Sequence, residues 1–384
     1  MEYNSLIVRY GEVGVKGRTT RRRGENAIAT ALKESFRRRG VEGQVMITSG
    51  RIIVWRPSSI EAAAEAARRV FGVRSVSPSF SFELRGLAEL AETVGELLEE
   101  SVVGKRFTVR AKRVGEHDFS SRDVERAVGA ELIRRGAREV DMEGAEVRVF
   151  LEIRGEKVFL YDRTIEGMGG MPPATEGTLL VLLSGGFDSA VAAWRLMRRG
   201  AKVHLVHYDL GSPYATKTAV EVARRLAEWS LNYKMKMYLV DFRGIVSLIS
   251  SLVSPPYRVL VVRRLMMEHA ARLAERLGAE AIATGESVGQ VSSQTLRNMR
   301  LTSAGLRVSV IRPLAGHDKE EILREAKMIG TYELSERQIE TCGAIMAVPH
   351  ANERAFWREY ERVSSLPLPE PAEVELSSEL EVAH

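Results

Sequence analysis

The sequence is almost free of cysteine: Cys342 is the only one among 384 residues. A single thiol excludes an intrachain disulfide, and it excludes a zinc or iron–sulfur site built from several cysteines of one chain. Long apolar runs are also absent, and the start Met-Glu-Tyr-Asn lacks the pattern of a signal peptide. We therefore expect a cytoplasmic protein without a membrane partner, in which any sulfur chemistry depends on one thiol.

Charge is modest in total but uneven along the chain. The formal net charge is +5, and apolar residues make up 45% of the sequence, which is ordinary for a globular protein. Clusters of cations lie in the first third of the chain, at Arg18, Arg21, Arg22 and Arg23, at Arg37 to Arg39, and at Lys105, Arg106, Arg110, Lys112 and Arg113. Together they favour a polyanionic partner, although any one cluster is also typical of a solvated helix face.

The first 165 residues alternate short strands and helices, which predicts two small α+β modules, one from residue 5 to 102 and one from residue 106 to 164. We predict strands at 5–10, 45–55, 73–82, 106–111, 146–153 and 157–164, and helices at 20–39, 60–70, 87–102 and 121–135. Residues 166–177 are rich in glycine and proline and read as a linker.

From residue 178 to 364 the pattern predicts a third domain, a doubly wound parallel sheet. Strands are expected at 179–183, 202–208, 235–241 and 281–284, and helices at 188–199, 216–229, 259–277 and 319–329. A ligand of such a sheet binds at the carboxyl ends of its strands. The acidic, proline-containing residues 365–384 are expected to be a disordered tail.

The strongest motif is Ser184-Gly-Gly-Phe-Asp-Ser189, which joins an apolar strand to a helix. Gly185 and Gly186 let the backbone approach an anion closely, and the free amides at the helix start favour negative charge. Ser184 and Ser189 add hydroxyl donors. Neither the lysine-containing nucleotide loop nor the dinucleotide glycine motif occurs in the chain. The alternative interpretation is an ordinary turn with a capped helix.

A second segment, Thr284 to Leu296, follows the strand at 281–284 and reaches the same edge of the sheet. Gly285 permits close approach to a ligand, and Gln294 offers an amide for hydrogen bonding. Without the first motif, a polar loop before a capped helix would explain this segment equally well.

The pattern Ser-Gly-Gly-x-Asp-Ser resembles the pyrophosphate loop (PP-loop) of ATP pyrophosphatases, and nearly the whole chain before the tail resembles the tRNA 4-thiouridine synthetases, or tRNA sulfurtransferases. Arg9-Tyr-Gly-Glu-Val-Gly-Val-Lys-Gly17 is similar to the opening motif of that family. His117-Asp-Phe-Ser-Ser121 and Gly167-Met-Gly-Gly170 resemble its THUMP domain, an RNA-binding module. The resemblance implies a ferredoxin-like domain at 1–58, a THUMP domain at 59–165 and a catalytic PP-loop domain at 178–364.

The resemblance also implies roles for individual residues. Asp188 matches the loop aspartate needed for activity, where it would bind Mg²⁺ or orient phosphates, and Cys342 matches a cysteine used in catalysis. Residues expected to bind ATP are Leu182, Leu183, Ser184, Gly185, Gly186, Ser189, His207, Tyr208, Arg263, Gly285 and Gln294. Residues expected to bind tRNA are Lys16, Arg18, Arg21, Arg22, Lys112 and Arg113. His207 could instead be a core histidine, and the two leucines core side chains. No metal ligands are assigned beyond this.

The implied reaction replaces O4 of a tRNA uridine, at position 8 in the family, by sulfur with the use of ATP and Mg²⁺. The sulfur donor is expected to be a persulfide-carrying protein or free sulfide, and whether the protein is a monomer or a homodimer stays open. The chain departs from some relatives because no rhodanese domain follows, and because Gly343 stands where others have a second cysteine.

Other interpretations stay open. They are another PP-loop reaction such as amidation, a 2-thiouridine type of tRNA thiolation, sulfur transfer toward thiazole biosynthesis, and RNA binding without catalysis.

Overall fold

The computed structural model describes residues 2–48, 50–339 and 348–376. It contains two compact units, one ending at Pro172 and one beginning at Pro173. Within the described ranges, no helix combines the length and the hydropathy needed to cross a membrane. The module limits that we predicted inside the first unit stay predictions.

The first unit is built on a nine-stranded sheet in the order β2-β3-β1-β4-β8-β7-β5-β6, with β9 beside β4. The strands are β1 (Ser5–Tyr10), β2 (Gln44–Thr48), β3 (Arg51–Trp55), β4 (Val73–Glu83), β5 (Arg106–Val114), β6 (Glu139–Val140), β7 (Val147–Arg154), β8 (Lys157–Tyr161) and β9 (Ile165–Glu166). The long strand β4 joins the two halves, because its first part pairs with β1 and its last part with β8.

Four helices cover one face of this sheet: α1 (Arg18–Arg38), α2 (Ile60–Arg68), α3 (Leu87–Val102) and α4 (Ser121–Arg134). Ser120 and Asp123 form a capping box that starts α4. Leu151 and Ile153 of β7 are buried in the core formed with α3 and α4. Successive residues of a strand point to opposite faces of the sheet. The residues of β7 between and beside Leu151 and Ile153 therefore point away from these four helices, toward what we call the helix-free face.

The second unit is built on a six-stranded sheet in the order β14-β13-β10-β11-β12-β15. The strands are β10 (Thr178–Leu182), β11 (Lys202–Asp209), β12 (Met237–Asp241), β13 (Ala281–Ala283), β14 (Ser309–Ile311) and β15 (Ala372–Val374). All pairs are parallel except that of β12 with β15. The predicted doubly wound parallel sheet is confirmed, with one antiparallel edge strand added.

Eight helices are described in this unit: α5 (Phe187–Arg198), α6 (Pro213–Ala227), α7 (Arg243–Leu252), α8 (Arg258–Leu277), α9 (Leu296–Ser303), α10 (Lys319–Ile329), α11 (Tyr332–Ile339) and α12 (Glu353–Glu361). Helices α5, α6, α10 and α11 contact one another, and α7, α9 and α12 contact α8. Leu180, Val206 and Ile282 lie in the core beneath α8. The strand ends are therefore held between two helical layers, where a ligand site is expected.

The prediction that residues 365–384 form a disordered tail is wrong for the part of the tail that the structure describes. Residues 372–374 pair antiparallel with β12, and Leu376 is buried. Glu373 lies 3.1 Å from Nζ of Lys236, and His269 Nε2 donates a hydrogen bond of 3.0 Å to the Pro369 carbonyl. The acidic composition indicated disorder because the cations that neutralise it lie 94 to 141 residues away in the sequence. Residues 377–384 lie outside the described residues.

Candidate functional site

The loop between β10 and α5 is shaped by its own polar groups. Gly185 has a φ of +87°, a conformation that favours glycine, and its carbonyl accepts a 2.9 Å hydrogen bond from Ser335 Oγ. Ser189 Oγ accepts from the Ser184 N–H at 3.1 Å and donates to the Gly186 carbonyl at 3.1 Å. The serine hydroxyls therefore hold the loop in a tight turn before the start of α5.

Asp188 lies in the first turn of α5 and joins two other segments. Its Oδ1 lies 3.0 Å from Nζ of Lys319, and its Oδ2 accepts a 3.0 Å hydrogen bond from Gln290 Nε2. Lys319 is the first residue of α10, which Asp318 caps. Sequence reasoning missed both as partners of Asp188: Lys319 lies outside the two motif segments, and Gln290 lies within the segment Thr284 to Leu296 but was not singled out there. The only signal for the lysine was its position directly after a helix cap.

Gly285 is the point where the loop after β13 touches the phosphate loop. A Cβ atom at this position would come within 2.5 Å of the Asp188 carbonyl carbon and of the Ser189 nitrogen. Such a distance is far below van der Waals contact, so only glycine fits here without displacing the backbone. The side chain of Gln294 is buried nearby and accepts a 3.2 Å hydrogen bond from the Ser287 N–H.

These segments line a cavity of about 430 Å³ at the carboxyl ends of the strands, a size typical of small-molecule sites. Gly185 and Gly186 are not among its lining residues. The predicted residues that do line it are Leu182, Leu183, Ser184, Asp188, Ser189, His207, Tyr208, Arg263, Gly285 and Gln294. Sequence reasoning missed the lining residues Val206, Leu210, Ser212, Ala215, Thr216, Met266, Met267, Thr284 and Glu286.

His207 and Tyr208 are both buried, and their side chains have internal partners. His207 Nδ1 donates to the Leu183 carbonyl at 2.8 Å, which leaves Nε2 to accept from Thr216 Oγ1 at 3.3 Å. Burial lowers the pKa of His207, so the ring is neutral. The Tyr208 hydroxyl donates to the Met266 carbonyl at 2.9 Å. Burial raises the pKa of Tyr208 well above its ordinary value. Both residues therefore brace the cavity wall.

A buried carboxylate orders two arginines, one of which, Arg263, lines the cavity. Glu286 is 6% exposed, and its Oε1 accepts from Arg263 Nη1 at 3.1 Å. Its Oε2 accepts from Arg312 Nε at 2.8 Å and from Thr284 Oγ1 at 2.9 Å. This network fixes the guanidinium of Arg263 in the cavity wall, where its remaining N–H groups offer a forked cationic surface to an anion.

The residues predicted to bind tRNA lie in the first unit. Lys16, Arg18, Arg22 and Lys112 are exposed. Arg21 is half-buried, with Nε 3.9 Å from Oε1 of Glu25. Arg113, also half-buried, donates to the Gly115 carbonyl at 3.0 Å. The exposed cations are available to a large anion. The predicted catalytic residue Cys342 lies outside the described residues.

Comparison with known proteins finds matches in both units of the chain. Three family models match it: the ThiI ferredoxin-like domain at 5–77, the THUMP domain at 85–162, and thiamine biosynthesis protein (ThiI) at 174–363. The chain is 48% identical over 383 residues to a probable tRNA sulfurtransferase of Aeropyrum pernix, covering 99% of this chain and 97% of that protein. It is 39% identical to the tRNA sulfurtransferase of Pyrobaculum aerophilum, covering 90% and 70%.

Two solved structures extend the likeness to three dimensions. A 4-thiouridine synthetase–RNA complex with bound ATP matches with a TM-score of 0.77 and 27% identity, covering 97% of this chain and 100% of that one. PH1313 from Pyrococcus horikoshii shares the fold, with a TM-score of 0.66, 24% identity and coverage of 85% and 99%. With one relative nearly half identical along its whole length, the chain belongs to the tRNA sulfurtransferase family.

Proposed function

We propose that this protein transfers sulfur to tRNA in an ATP-dependent reaction that converts a uridine, at position 8, to 4-thiouridine. The observation that carries the proposal is the convergence of the phosphate loop, Asp188, Gly285 and Arg263 on one cavity in a chain of this family. The likeness to a 4-thiouridine synthetase that binds RNA and ATP supports the same chemistry.

The chemistry requires a good leaving group at C4 of the uracil ring. Attack of O4 on the α-phosphorus of ATP expels pyrophosphate and turns O4 into part of an AMP leaving group. Hydrosulfide then attacks C4 and AMP departs, and the S–H proton of the product moves to N3, replacing the proton that N3 lost when O4 was adenylated. The two bonds made are P–O4 and C4–S, and the two bonds broken are Pα–O and C4–O4.

The residues of the cavity suit the first of these steps. The loop and the positive end of α5 would attract the pyrophosphate, and Arg263, held by Glu286, adds a fixed cation in the cavity wall. Lys319 is paired with Asp188 at 3.0 Å and can turn to phosphate oxygens when nucleotide enters. Binding of the charged leaving group would then replace an internal ion pair, which links nucleotide entry to the position of Asp188.

Asp188 also fits a role as a magnesium ligand. Magnesium in nucleotide sites is usually bound by one or two carboxylates together with substrate phosphates and waters. The described residues contain no group of three or more potential metal ligands, so this donor set matches a metal that arrives with the nucleotide. Bound there, magnesium would neutralise charge on the phosphates.

Cys342 is proposed as the carrier of sulfur in the second step. It is the only thiol of the chain, so after the outer sulfur of its persulfide has bonded to C4, a thiol from outside the chain must cleave the S–S bond and end in a disulfide with Cys342. We expect Cys342→Ser to release pyrophosphate with tRNA as before, but to lose 4-thiouridine formation when a persulfide-carrying protein is the donor. The identity of that donor and a cytoplasmic location stay predictions, and the choice between a monomer and a homodimer stays open.

The test is reconstitution with the purified full chain, unmodified tRNA, ATP, magnesium and either sulfide or a persulfide donor. Pyrophosphate release and nucleoside mass spectrometry are measured together, and a tRNA with cytidine at position 8 is the control. We expect pyrophosphate and 4-thiouridine to form in equal amounts. With the control tRNA we expect neither product. Formation of 2-thiouridine, or ATP cleavage without any thiolated nucleoside, would contradict the proposal.

A further inference from the structure

The helix-free face of the first unit contains a buried ionic cluster that none of the roles above explains. Glu152 of β7 is 1% exposed, and three arginines surround its carboxylate. The distances are 3.4 Å from Arg9 Nη2, 2.9 Å from Arg51 Nε and 2.5 Å from Arg154 Nη2. We call Arg9, Arg51 and Arg154 the arginine cluster.

The cluster exists because the sheet curls. Strands β3 and β7 are four strand spacings apart in the sheet order, about 19 Å if the sheet were flat. Contact between Arg51 and Glu152 therefore requires the two halves of the sheet to fold toward each other. Where the two halves meet, Ile7 and Ile53 pack against Phe159 and Tyr161 and form an apolar contact. The arginine cluster and Glu152 form an ionic contact beside this apolar one. The Arg9 guanidinium lies 4.9 Å from the centroid of the Tyr161 ring.

The charges of this cluster do not cancel. Three guanidinium groups share one carboxylate, which leaves a net charge of +2. Burial raises the pKa of Glu152, but the three arginines lower it to below its ordinary value, so the carboxylate stays ionised. For Arg51, burial lowers the pKa, Glu152 raises it, and the two neighbouring arginines lower it again. Uncompensated charge in a partly buried position is costly unless an anion neutralises it.

Arg51 also has a donor without an acceptor. Its Nε is buried and lies close to Glu152, but the N–H does not point at the carboxylate and makes no hydrogen bond. The arginine side chains remain 10 to 22% exposed, so the rim of the cluster is open to a ligand. Lys112 is the register partner of Glu152 in the parallel pair of β5 and β7, so it stands on the same face and is exposed.

We propose that the arginine cluster is a phosphate-binding site that takes a phosphodiester group of the RNA backbone, resting on the proposed function for tRNA as the substrate. Guanidinium forks match phosphate oxygens in geometry and charge, and one phosphate would neutralise half of the net charge. The exposed Lys112 beside the site favours a polymer with further phosphates over a free small anion.

The test uses the full chain with Arg51→Met, which removes one guanidinium and leaves Glu152 held by Arg9 and Arg154. Affinity for tRNA is measured between 50 and 200 mM salt, conditions in which phosphate contacts dominate the slope. We expect about tenfold weaker binding and a slope of log K against log salt that is smaller by about 1. The matched control is Arg126→Met on α4, an exposed arginine 3.8 Å from Asp123, which should change neither quantity.

A second arm separates this site from the proposed function. Inorganic phosphate is added to the protein without RNA, with chloride at equal ionic strength as reference, and the melting temperature is measured. Phosphate should stabilise the wild type more than Arg51→Met, and should stabilise Glu152→Gln most, because that variant has a net charge of +3. A phosphate response that is larger in the wild type than in Arg51→Met, in a protein that does not thiolate tRNA, would overturn the proposed function and not the site.

A purely structural cluster makes the opposite predictions. An unchanged salt slope in Arg51→Met, or equal stabilisation of the wild type and Arg51→Met by phosphate, would overturn the proposal, because phosphate bound at the loop of the second unit stabilises both proteins alike. If Arg51→Met does not fold, Arg51→Lys keeps the charge and loses the fork. In that case, a smaller rise of the melting temperature with phosphate than in the wild type supports the site, and an equal rise contradicts it.

Discussion

The two units treat positive charge in different ways. In the second unit the arginine that lines the cavity and the lysine beside the phosphate loop both have an acidic partner: Arg263 pairs with Glu286, and Lys319 pairs with Asp188. In the first unit Lys16, Arg18 and Arg22 are exposed, and the arginine cluster exceeds its single carboxylate.

This difference matches two kinds of anion. A small nucleotide is bound precisely only by groups that are already fixed, and ion pairs fix long side chains at the cost of part of their charge. A polyanion is attracted by the sum of many unpaired charges, and its affinity comes mainly from released counterions. The comparison therefore predicts that geometry matters most in the second unit and charge in the first.

Asp188→Ala should have the largest effect, because it removes the residue where the phosphate loop, Lys319 and Gln290 meet. Pyrophosphate release with tRNA should fall by at least about a hundredfold, while affinity for tRNA should stay within about twofold. Asp188→Asn keeps the shape and an acceptor for Gln290 but not the charge. Wild-type turnover of the Asn variant would mean that the charge of Asp188 is not needed.

Gly285→Ala tests whether geometry alone governs the second unit. The added Cβ would clash with the backbone of Asp188 and Ser189, so we expect at least a tenfold rise in the KM for ATP without any change of charge. The control is Gly244→Ala on α7, where a Cβ has no neighbour within 4 Å. Equal KM values for the two variants would contradict a close approach of the loops at Gly285.

Arg18→Gln combined with Arg22→Gln tests charge in the first unit. Each lost phosphate contact should lower the salt slope of tRNA binding by about 1, so the pair should lower it by about 2, with kcat at saturating tRNA unchanged. The control removes two exposed arginines from the second unit, Arg276→Gln and Arg300→Gln. Equal slopes in both double variants would show that the units do not differ in this way.

The smallest effect is a pH dependence of stability in the second unit. Burial lowers the pKa of His204, His207 and His269 below the ordinary 6.5. As the pH drops below 6.5, the unfolded chain therefore binds more protons than the folded one. The free energy of unfolding has its full value above pH 6.5 and decreases below it. Chemical denaturation at pH 7.5 and 5.5 measures this loss. His204→Gln should make it smaller, and an unchanged difference would contradict the assignment.

Local patterns predicted much of the fold. The strand at 5–10 and the helices at 87–102 and 319–329 have the predicted bounds, because each has an apolar period and a clear start or end within its own residues. We made no prediction for α7, α9, α11 and α12, although α7 is amphipathic enough to have been found. Strand β14 has only three residues and is stabilised by its neighbour β13, so no local signal identified it.

The sequence by itself determined the phosphate loop and its place in a parallel sheet, because strand, glycine turn and helix start lie within a few consecutive residues. Only the tertiary structure decided what surrounds the loop. The hydrogen bond from Gln290 to Asp188 joins residues 102 positions apart, and that from Lys319 joins residues 131 apart. Such contacts depend on how the loops after β13 and before α10 meet at the sheet edge. No periodic pattern in the sequence predicts that these two loops come into contact. The partners of Asp188 could therefore be identified only in the folded protein.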